Sequence, residues 1–329
     1  MGDFVVHGLD ILRGSVGVSD SSGAISAVCT VCKPGPLVEP RFVAHAIRAQ
    51  AESGYTKAMA RGIREGGADF RRWATLAELP VPVPPLEYQR KALAFIDRET
   101  SQIDTLIDEQ QQLVQMLKQR IFSFTDQCFY GTTGKRTVLL KRVLRRVDRP
   151  PIPGLGVVTA YRDGEVTLRS NRREEGYTFS EREEGYQEIR PGDLVFHGLD
   201  GFSGAVGISD SHGNATPVYH ACEAIAGDEP EYVALLLRYL GTSGFLATQA
   251  PNVRQRAVDF RNWATFGRIP LSLPDPSTQR AVVRDIREQT TRTEILIGES
   301  ERLIELSQER RAALITAAVT GEIEALGDD

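Results

Sequence analysis

Apolar positions recur with a helical period in one long stretch of the chain. From Leu86 to about Gln127 the sequence contains neither glycine nor proline. Apolar residues return there at alternating four- and three-residue steps, which is the heptad spacing of a coiled-coil helix. The seam consists of Ile103, Ile107, Val114, Leu117, Ile121 and Phe124, with polar Gln110 between them. About 40 residues at 1.5 Å per residue predict a rod of roughly 60 Å.

A second stretch of the same kind follows Pro274 and Pro276. Its seam comprises Ile286, Ile297, Ile304 and Leu314, with Leu296, Leu303 and Leu306 beside it. Neither rod can bury its apolar stripe alone, so we expect the two to pack together as a coiled coil. Antiparallel packing is favoured because it places one globular region at each end. In the alternative, each is an ordinary amphipathic helix that lies on its own globular region.

The remaining segments show the short runs that are typical of strands and turns. Residues 193–197 and 204–208 are examples, and Gly, Asp and Ser punctuate them. Helices are predicted from Pro40 to about Ser53 and from Glu229 to Gly241. The proline-rich stretch 79–85 predicts a stiff, extended link, because proline fixes φ and biases its predecessor away from the helix. These regions are therefore expected to be mixed α/β.

The chain contains an internal repeat with a constant offset of 190 residues, as in Asp3 against Asp193. Residues 2–10 return as 192–200, and 68–75 return as 258–265. A constant offset over this length means two gapless copies of one module. Met1 aligns with Pro191, so the first copy has no counterpart of residues 132–190. We expect a shortened first module, either as a natural form or because the start was placed at an internal codon.

Together these patterns predict an α+β chain. Two α/β domains are separated by two long helices that pack as an antiparallel coiled coil. The predicted segments are a partial first globular domain over 1–85, a first spacer helix over 86–131, a second globular domain over 132–275, a second spacer helix over 276–321 and a tail over 322–329.

Composition excludes several classes of protein. Hydrophobic residues make up 41% and charged residues 25% of the chain, which is ordinary globular usage. No run of about 18 apolar residues occurs, so no membrane partner is expected. Four cysteines do not make a disulfide framework, and the cytoplasm is the expected compartment. A net charge of −5 argues against non-specific coating of nucleic acid.

Sequence motifs for catalysis are missing. There is no Walker A sequence, no Asn-Pro-Pro motif and no complete glycine-rich cofactor turn. Cys29 and Cys32 form a lone Cys-x-x-Cys, which lacks the further ligands that zinc needs and is read as small buried residues on a strand. We therefore predict no catalytic residue, no metal and no cofactor. Trp73 and Trp263 occupy matching positions and are interpreted as core residues, with nucleotide stacking as the alternative.

Basic charge is concentrated in a few segments, although the total is acidic. One is the run 135–149, a second is the group around Arg254 to Arg268, and a third is its first-copy counterpart around Lys57 to Arg72. Arginine can neutralise phosphate and can read guanine bidentately. His197, beside Asp200, is predicted either to contact a base or phosphate or to stabilise a turn. The candidate DNA-binding residues are Lys57, Arg61, Arg64, Arg71, Arg72, His197, Arg254, Arg256, Arg261 and Asn262.

At three places the sequence resembles the specificity subunits of type I restriction–modification systems. They are the strand-and-turn signature over 192–195, 204–209 and 216–219, the Pro-rich helix starts over 79–89 and 269–280, and the helix ending over 315–321. The resemblance implies two target recognition domains, each reading half of a bipartite DNA site. It makes the two helices the spacer between them, with docking and spacing residues Ile103, Ile107, Val114, Leu117, Ile121, Ile297, Ile304 and Leu314.

Membership would also imply a set of partners and no catalysis by this chain. The partners are double-stranded DNA, two methyltransferase subunits, and the restriction subunits that translocate and cleave DNA. Two alternatives remain open at this stage. The chain could be a fragment of a fused DNA-modification enzyme, or a coiled-coil scaffold whose globular ends bind protein.

Overall fold

The computed structural model describes residues 2–59, 70–172, 185–225, 227–249 and 259–323. The chain forms two compact units. The first unit contains Met1–Met116 together with Leu296–Asp329, and the second unit contains Leu117–Ile295. Each long helix therefore contributes one part to each unit. Among the described residues, no helix has the length and apolarity needed to span a bilayer.

The elements follow the chain in an order that repeats. The strands are β1 Phe4–His7, β2 Val16–Val18, β3 Cys29–Cys32, β4 Arg136–Leu139, β5 Leu144–Val147, β6 Val158–Ala160, β7 Val166–Leu168, β8 Gln187–Ile189, β9 Leu194–His197, β10 Val206–Ile208, β11 Gly213–Ala215, β12 Tyr219–Ala224 and β13 Pro270–Leu273. The helices are α1 Pro40–Glu52, α2 Tyr55–Met59, α3 Trp73–Leu76, α4 Leu86–Gly131, α5 Pro230–Thr242, α6 Phe245–Gln249, α7 Trp263–Phe266 and α8 Pro276–Thr320.

The first unit is built on an antiparallel sheet in the order β2-β1-β3. Val5 pairs with Gly17 on one side and with Val31 on the other. Helix α1 begins at Pro40, where the missing N–H of proline costs no helical hydrogen bond. Its buried face packs against this sheet and against α4, so that α1 lies between the sheet and the long helix.

The second unit contains an antiparallel sheet in the order β10-β9-β12-β5, with three two-stranded ladders beside it: β11-β8, β13-β4 and β6-β7. Helix α5 corresponds to α1 and buries Tyr232, Val233 and Leu237 completely. The largest apolar cluster joins this helix to the main sheet, to the end of α4 and to the start of α8.

The two long helices pack antiparallel in each unit. In the first unit, the hydroxyl of Tyr88 donates to the carbonyl of Ala318 over 3.0 Å, and Arg311 Nε donates to Asp104 Oδ1 over 2.8 Å. In the second unit, Phe129 near the end of α4 packs in one cluster with Val282 near the start of α8. The prediction of two long antiparallel helices with α/β domains is therefore confirmed.

The interface between the long helices is more polar than the sequence pattern suggested. Of the predicted seam residues on α4, three are buried, namely Ile103, Val114 and Leu117. Two others on α4 are only half-buried, Ile107 and Ile121. The same is true of three seam residues on α8: Ile297, Ile304 and Leu314. Buried residues recur at seven-residue steps on α8: Ile286, Thr293, Ser300 and Ser307. Three of these four positions carry a small hydroxyl side chain. The apolar neighbours Leu296, Leu303 and Leu306 are 48%, 38% and 43% exposed. Small hydroxyl residues thus line the inner face, and leucines lie on the outer one.

The second copy contains strands within residues 136–189 that pair with its repeated strands, and the first copy has no equivalent of this part of the sequence. Strand β12 pairs with β5, β11 with β8, and β13 with β4. In the first copy, β3 has no strand on the corresponding side among the described residues, and residues 23–25 and 80–83 are not strands. Val31 on β3 is accordingly 50% exposed, whereas Ala221 on β12 is 1% exposed.

Candidate nucleic-acid interface

Two segments that recur at the 190-residue offset meet in each unit. One is the turn after the central strand, which contains Gly8 or Gly198, and the other is the Phe-Arg segment, Phe70-Arg71 or Phe260-Arg261. In the first unit, Gly8 donates from its amide to Val28 O (2.9 Å), and Phe70 donates to Gly8 O (2.9 Å). In the second unit, Gly198 donates to Val218 O (2.9 Å), and Phe260 donates to Gly198 O (2.8 Å). The turn after the central strand therefore anchors the Phe-Arg segment in the same way in both copies.

Glycine is required at this junction. A Cβ atom at Gly8 would lie 2.8 Å from the backbone nitrogen of Arg71. A Cβ atom at Gly198 would lie 2.8 Å from both Val218 O and Arg261 Cγ. These separations are shorter than van der Waals contact, so only glycine allows the two backbones to approach this closely. Both arginines are thereby placed beside the turn.

His197 stabilises the turn that follows it. Its Nδ1 atom accepts hydrogen bonds from the amides of Leu199 (3.2 Å) and Asp200 (2.8 Å). In the first copy, His7 Nδ1 accepts from the Asp10 amide over 3.1 Å. Burial lowers the pKa of His197, which favours the neutral ring. These contacts fit the prediction that His197 stabilises a turn. A DNA contact by His197 remains a prediction.

Arg261 and Asn262 are engaged within the second unit. Arg261 Nη2 donates to Asp259 Oδ2 over 2.7 Å, and Arg261 Nε donates to Asp259 Oδ1 over 3.0 Å. The guanidinium lowers the pKa of Asp259 to about 2. Asn262 caps α7, because its Oδ1 accepts from the Ala264 amide over 2.8 Å. The charge of Arg261 is thus largely balanced by its neighbour.

The other candidate residues lie in or near the first copy's short helices, or outside the described ranges. Lys57 is exposed on α2, and Arg72 is exposed immediately before α3. Arg71 is exposed and takes part in interactions within the chain. The remaining four, Arg61, Arg64, Arg254 and Arg256, lie outside the described residues.

The structure joins two basic segments that are far apart in sequence. The amide of Leu140 donates to Ile269 O (2.9 Å), and that of Lys141 donates to Gly267 O (3.0 Å). These bonds, together with the β4–β13 ladder, hold the turn after β4 against the end of α7. The resulting α7 patch consists of Lys141, Arg142, Arg146 and Arg268, with Trp263 beside them. Its four basic side chains are exposed and form no ion pair with another described residue.

Other arginines of the 135–149 run are neutralised by acids. Arg145 Nη2 lies 2.7 Å from Glu223 Oε2. Arg149 is mostly buried and pairs with both Asp193 and Glu223, each over 2.6 Å. Arg149 therefore holds β5 to its neighbours, whereas the α7 patch keeps its charge available for an anion. Sequence alone could not separate these two groups, because only tertiary structure shows which arginine meets an acid.

The tryptophan of the second copy is supported by aromatic neighbours. The ring centroid of Trp263 lies 5.6 Å from that of His220 and 5.8 Å from that of Phe266. His220 and Phe266 are themselves stacked, 5.1 Å apart. Trp263 is half-buried, but Trp73 is 61% exposed, so the interpretation of Trp73 as a core residue was wrong.

The reason for the difference is local. In the first copy, Thr30 and Leu76 stand at the positions of His220 and Phe266, so Trp73 has no aromatic partners there. Both tryptophans nevertheless follow the arginine that the glycine junction positions. Among the described residues, no group of three or more His, Cys, Asp or Glu side chains could hold a metal ion.

Comparison with known proteins gives similarity in structure only. No protein-family model matches the sequence, and no curated protein matches it. A chain from a structure of the type I R-M system, determined to explain complex assembly and conformational transition, superposes with a TM-score of 0.72. The two sequences are 14% identical, and the match covers 97% of this chain and 81% of the other.

A second similar structure is the HsdS subunit from Thermoanaerobacter tengcongensis. Its TM-score is 0.53 at 14% identity, and the match covers 98% of this chain and 81% of that subunit. The chain has the HsdS fold. Two α/β domains and a pair of long antiparallel helices are therefore an architecture already seen in a type I R-M system.

Proposed function

We propose that this chain is the DNA-sequence-specificity subunit of a type I restriction–modification system and catalyses no reaction itself. The observation that carries the proposal is the duplication of one α/β module on an antiparallel helix pair with the HsdS fold. A duplicated reader on a helical spacer suits a DNA site that is divided into two parts. The exposed basic patch of the second unit supports DNA as the ligand.

We further propose that each copy reads one half of a bipartite site. On this hypothesis the first reader lies within 1–85 and the second within 132–275, and the helices over 86–131 and 276–321 set the gap. Recruitment of two methyltransferase subunits and of restriction subunits would follow from assembly on the helices. Arg254, Arg256 and Arg268 are proposed to contribute contacts in the second half-site.

The direct test uses the intact chain with the methyltransferase subunit encoded beside it. Single-molecule methylome sequencing then records which adenines become modified. A motif of two short parts with a fixed gap is the expected result. A stable complex that modifies nothing would contradict the two-reader proposal, and failure to form any complex would contradict the assignment to this class of subunit.

A second test addresses the basic patch. The double variant Lys141→Gln/Arg268→Gln should weaken DNA binding by the methyltransferase complex about equally for all sequences and reduce its salt dependence, because phosphate contacts release counterions. Arg284→Gln is the matched control, since Arg284 is exposed on α8 but lies beside Asp285. Equal affinity of the double variant and the control would remove the patch from the proposed interface.

A further inference from the structure

The second unit contains a cavity that the proposed DNA-reading role does not use. It measures about 400 Å³ and lies between the second half of α4, helix α5 and the first half of α8. Ligand pockets in proteins have volumes of roughly 300–1,000 Å³. The apolar part of its wall is formed by Ile121, Phe122, Leu235, Tyr239 and Ile286. This space is large enough for a small organic molecule.

One cation in the wall lacks a counter-ion within the described part of the chain. Arg238 lines the cavity and forms no ion pair with a described residue. The nearby carboxylate of Asp163 is engaged by Arg172 at 2.7 Å. Glu294 also lines the cavity, and its charge acts on Arg238 without an ion-pair contact. Burial lowers the pKa of Arg238, because it removes water from around the charged form.

This guanidinium lies against a glycine turn between β6 and β7. Gly164 has a φ of +92°, and a Cβ atom there would lie 2.9 Å from Arg238 Nη1. A side chain at this position would push the guanidinium away, so the turn leaves room for it beside the cavity. Arg287, another cation of the wall, differs because Glu231 holds it in a two-pronged ion pair.

Hydroxyl groups complete the polar side of the cavity. Thr290 and Thr291 line it, and neither side chain hydrogen-bonds to a described residue. The hydroxyls of Thr125 and Tyr239 are instead committed to Ile121 O and to Asp126. The free donors and the unpaired cation therefore share the cavity with the apolar side chains.

We propose that this cavity binds a small organic acid with one carboxylate and an apolar body. The carboxylate would pair with Arg238 and accept from the threonine hydroxyls, and the apolar body would contact the wall of Phe122 and Ile286. An acid of this kind satisfies both halves of the site, whereas an inorganic anion would leave the apolar wall exposed to water.

The test measures binding of octanoate to the full chain by calorimetry, with 1-octanol as the uncharged probe. Octanoate should bind saturably and at least tenfold more tightly than octanol. Arg238→Gln should weaken octanoate binding about tenfold, a loss of about 1.4 kcal/mol, and leave octanol unchanged. Arg287→Gln is the matched control and should alter octanoate affinity less than about twofold, because Arg287 is already paired.

A cavity-filling variant, Leu235→Trp, should abolish binding of both probes while the circular dichroism of the chain stays unchanged. Absence of saturable octanoate binding would overturn the proposal, as would equal affinities of Arg238→Gln and the unaltered chain. If octanoate fails and Arg238→Gln instead weakens assembly with the methyltransferase subunit, the cavity accepts an acidic side chain of that partner, and the small-molecule proposal is wrong.

Discussion

A fully buried glutamine joins each α/β module to its long helix, and its replacement gives a quantitative test of the fold. Gln279 Oε1 accepts from the Glu229 amide over 2.8 Å. Its Nε2 donates to Pro274 O over 2.9 Å and to Asp228 Oδ1 over 2.7 Å. The side chain is 0% exposed, so water cannot replace these partners. The variant Gln279→Met keeps the length of the side chain and removes all three hydrogen bonds.

The expected loss follows from the three bonds. Each contributes about 0.5–1.5 kcal/mol, and each buried group that loses its partner adds a desolvation cost, so the total is about 3 kcal/mol. In a unit of this size, about 1 kcal/mol lowers Tm by roughly 2–4 °C. We expect the unfolding transition of the second unit to fall by roughly 6–12 °C.

Urea and thermal unfolding of the full chain, followed by circular dichroism, measure this loss. The matched control is Gln111→Met on the exposed face of α4, which should change stability by less than about 0.5 kcal/mol. Gln89 makes the corresponding contacts in the first unit, to the Glu39 amide (2.7 Å) and to Pro84 O (2.7 Å). A cost below about 1 kcal/mol for Gln279→Met would refute the reasoning that this side chain holds the joint.

Three further changes test other parts of the structure. Gly198→Ala should destabilise the second unit and displace Arg261, because its Cβ would lie 2.8 Å from that side chain; amide exchange of the β9 turn measures this. The pKa of His45 is lowered to about 4 by burial and by neighbouring arginines, so the unfolded state binds the proton more readily and stability falls as pH drops from about 6.5 towards 4. His45→Leu, which introduces the residue that the second copy carries there, should remove this dependence in unfolding measurements between those pH values. Ser300→Leu should cost about 1–3 kcal/mol by overpacking the helix interface, whereas Leu303→Ser on the outer face should cost little in the same urea titration.

The repeat and the long helices were predictable because both depend on pattern. Leu86 marks the start of α4 since prolines precede it and none follows within the helix. The constant offset likewise placed equivalent strands and turns in both copies. The sequence shows that Gly8 and Gly198 recur. It does not show that the Phe-Arg segment packs against each of them and leaves no room for a Cβ atom.

The inner face of α8 was not predictable by the same reasoning. A heptad assignment ranks positions by hydrophobicity, so it favoured leucines near the seam over Thr293, Ser300 and Ser307. Their burial depends on how closely the partner helix approaches, and small residues permit a close approach. The sequence of one helix alone does not contain that distance.

The α7 patch was missed as a unit for a related reason. Sequence shows positive charge in the run 135–149 and at Arg268 but does not show that Lys141 lies beside Gly267. It also cannot show that Arg261 is balanced by Asp259, whereas Arg268 forms no ion pair with a described residue. Ion pairing depends on tertiary contacts. A single sequence does not identify such contacts unless a related structure serves as a template.

The two tryptophans have different surroundings, so their intrinsic fluorescence can distinguish the two units. The sequence contains two tryptophans, and each unit holds one of them. Trp73 faces solvent, so its fluorescence should lie at longer wavelength and be quenched by iodide. Trp263 is half-buried beside the stacked rings of His220 and Phe266, so it should be less accessible to the quencher. The behaviour of each half of the molecule can therefore be recorded separately in one unlabelled sample.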